Sequence, residues 1–338
     1  MLSERKKKIL CAVVDGYIES ATPISSKEIM QSALPNCSSA TIRNELSALE
    51  SMGYLIQPHV SAGRIPSQRA FRIYVDELMN YERLSDEETN LIVKYLTHQV
   101  DTVEEMVERV AKVLSEITHL PALVLKEDNL DIITSIKLLD LDNGKALVVI
   151  VTDCRVLKDS FVDLPEHFTS GMLKSAQDWL NKIFVGKRIS DFLNYNFPFE
   201  LVNDQFGDFN KFFKRIVDTL KRESLTHSMQ LSTVGENKIF EHVEYKDSEK
   251  AKQFLDTVEQ KELICELLYC DQDGTTVKID KEDAVLEGCS LVKSNVQLGE
   301  NISGSIGVIG PVRMNYKRVV AVVDKISKIL NYVINSKR

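Results

Sequence analysis

The sequence predicts an α+β, multidomain protein with an N-terminal winged helix-turn-helix. Three observations predict it. Residues 24–74 read as helix, turn, helix and two-stranded hairpin. Apolar residues then recur at helical spacing as far as Pro121 and change to a period of two from Ile132. Beyond that point strands with hairpin connections are flanked by helices, without a βαβ series.

The first element is an amphipathic helix, Glu4 to Ser20, with Ile9, Leu10, Val13, Val14 and Tyr17 inward. Arg5, Lys6, Lys7 and Lys8 crowd its start, where positive charge opposes the helix dipole. They are either a solvated basic end or a phosphate contact, and the unfavourable dipole tilts the reading to the contact. Ser25 and Glu28 form a capping box, and Ile24 with Ile29 has staple spacing, so a short helix starts there. Pro35-Asn36 breaks the chain. Ser38 caps a second helix, whose inward face is Ile42, Leu46, Leu49 and Met52 and whose end is marked by Gly53.

The opposite face of that helix carries Ala40, Arg43, Asn44, Ser47 and Ser51. A helix that enters a major groove about 12 Å wide needs such slim residues. Arg reaches guanine, Asn reaches adenine, and Ser reaches a base edge or a phosphate. A solvated face in an ordinary helical hairpin remains the other reading of these residues alone. The hairpin that follows shifts the balance to DNA. Tyr54 to Pro58 reads as a strand, Ser61-Ala62-Gly63-Arg64 as a turn and Ile65 as the return. The expected tip carries Arg64 with His59 beside it, and Arg69 and Arg72 follow on a further helix.

Capping boxes at Ser85/Glu88 and Thr102/Glu105 open two more helices. In the second, Val103, Val107, Val110, Leu114 and Ile117 form a stripe that faces a core or a dimer seam, the core being favoured. Ile132–Leu141 and Ala146–Thr152 flank Asn143-Gly144 as a β-hairpin, with a third strand over 155–164. Helices are predicted over 170–184, which holds Trp179, and over 208–222, where Phe209, Phe212 and Phe213 face a core or a subunit seam. A long helix over 248–268, strands at 275–279, 290–297 and 303–309, and a last helix over 316–334 complete the chain.

Composition bounds the function. The 338 residues suffice for two or three domains with a sizeable core, and 43% hydrophobic content is ordinary for a globular protein. No apolar run reaches a membrane span, and the start MLSERKKKIL lacks the apolar stretch of a signal peptide. Six scattered cysteines, of which Cys265 and Cys270 are closest, show neither disulfide nor metal spacing and fit reduced thiols in a cytoplasm. The net charge of −8 is uneven. Residues 1–75 hold nine Lys or Arg against six Asp or Glu, a net +3, and the remainder holds 33 against 44, a net −11. The positive end is therefore the end with the helix-turn-helix.

Two motifs tempt toward other chemistry. Asp271-Gln272-Asp273-Gly274-Thr275 matches a phosphatase nucleophile signature, but Leu263, Ile264, Leu267 and Leu268 before it have helical rather than strand spacing. No enzyme, cofactor or metal is expected. Gly304, Gly307 and Gly310 lack the spacing and the lysine of a phosphate loop and read as small residues in a close-packed strand. Arg313 either pairs with a carboxylate at a domain interface or meets a ligand, and the interface is favoured.

The stretch SSATIRNELSALESMGYLIQPHVSAGRIPSQRAFRIYVDELM resembles the amino-terminal signature of the heat-inducible transcription repressors, the HrcA family. Gly304 to Tyr316, GSIGVIGPVRMNY, resembles that family's carboxy-terminal block. The two motifs lie at opposite ends, so the resemblance spans essentially the whole chain. After the wing the family usually has Pro-Thr and then Gly-Tyr-Arg, where this chain has Pro66-Ser67 and then Ala70-Phe71-Arg72. That departure weakens any carry-over of DNA contact to the following helix. The resemblance implies a winged-helix domain over 1–80 and a helical connector over 81–120. It implies a GAF-like α+β domain over 121–159 and 236–338, interrupted by an inserted dimerising domain over 160–235. It implies a cytoplasmic, nucleoid-associated homodimer that binds double-stranded DNA at the CIRCE inverted repeat, represses chaperone operons until heat stress, and is assisted by the chaperonin GroEL. Arg43, Asn44 and Ser47 are the expected base contacts. Ser38, Ser39, Thr41, His59 and Arg64 are the expected backbone or wing contacts. The alternative is a ligand-responsive winged-helix regulator whose GAF-like domain binds a small molecule.

Overall fold

The structure, a computed structural model, describes residues 2–97, 100, 102–127, 132–141, 144–153, 156–164, 169–188, 214, 217–218, 229–269, 274–282, 286–299 and 302–336, the side chains of 156–160 and 281 excepted. Helices α1 (Glu4–Ser20), α2 (Ser26–Ser32) and α3 (Ser39–Ser51) pack through Ile9, Leu10, Val13, Ile29, Ile42, Leu46 and Leu49, all buried. The capping box at Ser25 forms as predicted: Glu28 N donates to Ser25 Oγ at 3.3 Å and Ser25 N to Glu28 Oε2 at 2.7 Å. Met52, predicted inward, is 39% exposed, because α3 ends at Ser51 and Gly53 turns away at φ +77°.

The wing is built from β1 (Leu55–Ile56) and β2 (Ile65–Pro66), antiparallel, with Leu55 opposite Pro66. Ile24 adds a third rung by exchanging backbone hydrogen bonds with Arg64 at 2.8 and 2.9 Å. Gly63 permits that approach, since a Cβ there would lie 2.3 Å from the Ile24 carbonyl oxygen. Helix α4 (Gln68–Ile73) runs into a π-turn, Tyr74–Leu78. Helices α5 (Asp86–Thr97) and α6 (Val103–Thr118) follow, and the stripe of α6 faces a core.

The main sheet has five antiparallel strands: β3 (Ala122–Glu127), β7 (Met229–Val234), β8 (Thr275–Ile279), β9 (Cys289–Gly299) and β10 (Ile302–Pro311), in the order β7-β3-β10-β9-β8. The pleat divides it between two cores. Ala122, Val124, Ile306 and Val308 face α6 and the last helix, α10 (Tyr316–Ser336). Leu123, Leu125, Leu291 and Ile309 face α8 (Ser248–Glu259) and α9 (Lys261–Leu268). The sequence predicts one long helix over 248–268. It is two, broken at Gln260, whose ψ of 70° leaves the helical region. The glycines of β10 are explained by packing. A Cβ on Gly304 would lie 2.2 Å from the Leu125 carbonyl oxygen, and one on Gly307 would lie 2.7 Å from Leu268.

Between β3 and β7 lies a second unit. Strands β4 (Ile133–Asp140), β5 (Lys145–Thr152) and β6 (Val156–Asp163) form a separate three-stranded sheet, covered on one face by α7 (Ser170–Phe184). Its core of Ile136, Val148, Ile150, Leu173, Leu180 and Phe184 is distinct from both cores of the main sheet. The resemblance implies that the hairpin over 132–152 lies in the main domain. It belongs instead to this second sheet, because β3 pairs directly with β7, Ala122 opposite Val234 and Glu127 opposite Met229. The Phe-rich segment 208–222 lies outside the described residues except 214, 217 and 218, and Asp271 to Asp273 lie outside them as well.

The winged helix is fastened to the main sheet. One apolar cluster runs from Ile9 through Phe71 to Tyr316 and Ile326. The Phe71 ring lies 6.0 Å from that of Tyr316 and 6.5 Å from that of Tyr17. Gln68 and Arg72 donate to the carbonyls of Ile279 and Val277 at 3.0 and 2.8 Å, covering the free edge of β8. Arg313 pairs with Glu244 and donates to the Ile18 carbonyl at 2.7 Å, so it serves an interface. Lys317 pairs with Asp15 at 2.8 Å, and the same carboxylate accepts from the Tyr74 hydroxyl. Burial, and then the hydrogen bond to Asp15, push the Tyr74 phenol well above its ordinary pKa, so it stays a donor.

Candidate nucleic-acid interface

The caps decide where α3 begins. Ser38 Oγ accepts from Thr41 N at 3.1 Å and lies 2.9 Å from Thr41 Oγ1, so both hydroxyls serve the cap. With this start fixed, Ile42, Leu46 and Leu49 turn inward and Arg43, Asn44 and Ser47 turn out to solvent. From the start of α1, Lys6 Nζ reaches Glu45 at 2.5 Å and Arg5 lies 3.8 Å from it. That pairing spends much of the basic helix start on holding α3, and leaves Lys8 exposed.

Beside α3 stands the wing. Val60 at its apex is 97% exposed, and His59 is exposed beside it. Gln57, which the sequence reading passed over, shapes the loop: its side-chain amide donates to the carbonyls of Val60 and Ala62 at 2.9 and 3.2 Å. No local sequence signal marks this role, because an amide in a loop reads equally well as solvated.

Arg64 is placed otherwise than predicted. Its side chain is only 13% exposed and donates to Glu50 at 2.8 and 3.0 Å, while its backbone is fixed to Ile24. It ties the wing to the C-terminal half of α3 instead of projecting from the tip. The turn expected over 61–64 is displaced to 59–62, where Ala62 N donates to the His59 carbonyl at 2.8 Å, because the Ile24 rung, forty residues earlier, extends the sheet through Arg64. Arg69 likewise stacks on Tyr54 at 4.5 Å and donates to the Met52 carbonyl at 3.0 Å.

A cleft of ≈ 370 Å³ lies between the start of α2, the outer face of α3 and the wing. Arg43, Ser47 and Arg64 line it, together with Ser26, Gln57 and Ser61. Asn44 and His59 stand outside it on the exposed surface. Ser39 is half-buried, its hydroxyl 2.9 Å from that of Ser26. The surface therefore offers donors and acceptors on a slim helix flanked by a projecting loop.

Burial pushes Cys265 and Cys289 up to about 11, which keeps them protonated near neutrality. Among the described residues no cluster of His, Cys, Asp and Glu has the arrangement of a metal site, and no helix is long and apolar enough to cross a membrane.

A three-helix reader with an outward polar recognition helix and an adjoining wing defines a winged-helix DNA-binding regulator. Comparison with known proteins narrows the class. Residues 1–77 match the family profile "Winged helix-turn-helix transcription repressor, HrcA DNA-binding", and residues 104–320 match "HrcA protein C terminal domain". The chain is 33% identical to the heat-inducible transcription repressor HrcA of Ruminiclostridium cellulolyticum, over 98% of this chain and 97% of that one. It is 35% identical to the HrcA of Clostridium tetani, over 97% and 96%. It is also 35% identical to that of Carboxydothermus hydrogenoformans, over 100% and 99%. The chain belongs to the HrcA family of heat-inducible transcription repressors. Its fold is shared with a crystal structure described as a hypothetical protein, at a TM-score of 0.58 and 22% identity over 100% of this chain and 99% of that one.

Proposed function

We propose that the protein is a homodimeric repressor that binds the CIRCE inverted repeat through α3 and the wing, and leaves it on heat stress. The observation that carries this reading is the outward Arg43-Asn44-Ser47 face beside an exposed wing, on a domain that matches the HrcA DNA-binding profile. Arg43, Asn44 and Ser47 contact base edges. Ser38, Ser39 and Thr41, at the start of α3, and His59, at the wing, contact phosphates or sugar. Arg64 acts from beneath, by holding the wing against α3.

The inserted dimerising domain covers about 128–228, and the GAF-like domain consists of 121–127 with 229–338. This division rests on the direct pairing of β3 with β7. The homodimer is supported by an exposed apolar row on the inserted sheet. There Leu139, Leu147 and Phe161 stand in one cross-strand row, and Leu139 and Phe161 are 50% and 63% exposed. A two-fold dimer matches an inverted-repeat operator. The chaperonin GroEL assists the active fold, and the repressor works in the cytoplasm at the nucleoid.

Fluorescence anisotropy on an inverted-repeat duplex and a scrambled one, across a salt series and with or without GroEL, tests this reading. The expected preference for the repeat is ~10³ or more, with a steep salt slope. Arg43→Ala costs about 1–3 kcal/mol and relaxes specificity. An Arg43→Ala protein that binds every operator variant as the parent does overturns the assignment of α3. Equal weak binding to both duplexes, not rescued by GroEL, overturns the repressor reading.

A further inference from the structure

Arg43 projects from an exposed helix face, where an arginine ordinarily samples many rotamers. Here one edge of its guanidinium is engaged. Ser26, the first residue of α2, is 7% exposed although it is polar and α2 begins at the surface. Its hydroxyl stands 2.9 Å from that of Ser39 and accepts from Arg43 Nε at 3.4 Å. A buried hydroxyl without a partner is costly, so these contacts are what make a serine tolerable at that place. They also link three residues from two helices into one relay, Ser39 to Ser26 to Arg43, whose last two members line the cleft beside the wing.

The geometry has a consequence for recognition. A guanidinium carries one N–H on Nε and four on the two Nη atoms. With Nε turned to Ser26, the donors that remain are the paired N–H groups of Nη1 and Nη2. Among the described residues neither of them has a protein acceptor. In the major groove, guanine offers two adjacent acceptors, O6 and N7, that match such a pair, whereas adenine presents one acceptor beside a donor.

We infer that Ser26 is a positioning residue for sequence specificity: together with Ser39 it holds Arg43 by Nε, so that Nη1 and Nη2 face the groove and read a guanine. The inference rests on the reading of α3 as the recognition helix and adds to it both a residue outside that helix and the base that Arg43 selects.

The probe is a library of duplexes randomised within the two half-sites of an inverted repeat, bound by the full chain and sequenced. Parent, Ser26→Ala, Arg43→Ala and the double variant are compared, each with its salt slope on a scrambled duplex. The expected result is a guanine preference at one symmetric position that falls about fivefold in Ser26→Ala, as the loss of one ordinary, long hydrogen bond implies. The same position loses its preference in Arg43→Ala, and Ser26→Ala adds nothing in that background. The salt slope stays parental. Should Ser26→Ala fail to fold, Ser39→Ala interrupts the relay from its other end and carries the same expectation. A parental base profile in the serine variant overturns the inference. So does a loss spread equally over all duplexes, or losses that add in the double variant. If Arg43→Ala itself keeps the parental profile, the recognition-helix reading fails. If Arg43→Ala loses the preference and the serine variant does not, only the positioning role fails.

Discussion

Phe71→Ala tests whether the reader and the main sheet melt as one body. Phe71 belongs to α4 of the winged helix, is 2% exposed, and packs against Tyr17 on one side and Tyr316 of the last helix on the other. Removing a buried phenyl costs about 3–5 kcal/mol, since the cavity cannot close between two fixed rings. The shift in melting temperature then reports the size of the unit that loses this energy. A single unit of roughly 240 residues, the chain without the inserted domain, has an unfolding entropy of about 0.5 kcal/mol/K, so a loss of about 4 kcal/mol lowers the midpoint by about 8 °C. If residues 1–77 melted alone, their entropy of about 0.16 kcal/mol/K would turn the same loss into a fall of about 25 °C in a separate transition. The shared core predicts the smaller shift in one transition, read by scanning calorimetry and by hydrogen exchange resolved to α3 and to β9. A separate early transition confined to the winged helix, or a midpoint unchanged within 2–3 °C, refutes the reasoning.

Other perturbations have equally direct readouts. Gly63→Ala forces a Cβ against the Ile24 carbonyl and is expected to cost more than about 2 kcal/mol in urea unfolding, with loss of DNA binding, because backbone must move. Arg64→Ala is expected to lower stability by about 1–2 kcal/mol, discounted for the half-buried Glu50, and to leave the salt slope of DNA binding as it was. A slope reduced by about one would put Arg64 on a phosphate after all. Hydrogen bonds from Ser25 hold the Glu28 carboxyl below its ordinary value. Its contribution is therefore present above the unfolded value of about 4.3 and lost as pH falls through the lowered folded value. Glu28→Gln should reduce stability at pH 7 and have little effect at pH 2, measured by urea unfolding at both. An equal loss at both pH values removes the charged capping box as the cause.

Much of this molecule is written locally. Ser25, Ser38, Ser85 and Thr102 each announce a helix start through a hydroxyl that satisfies an N–H three residues on, and such contacts need no distant partner. The outward face of α3 follows from the helical period once its cap is set. Asn143-Gly144 marks the β4–β5 connection through the positive φ of Gly144, 74°. What the sequence by itself could not settle depends on pairs far apart in the chain. The rung between Ile24 and Arg64 turns a predicted wing-tip arginine into a brace for α3. The pairing of β3 with β7 across a hundred residues places the hairpin over 132–152 in a separate sheet, although its alternating pattern would suit either. Ser26 meets Arg43 only because two helices cross at a turn. Hydrophobic period and capping chemistry are local and fix which elements form. Which strand edge each one meets is a choice among surfaces of equal local quality, and only packing the whole chain decides it.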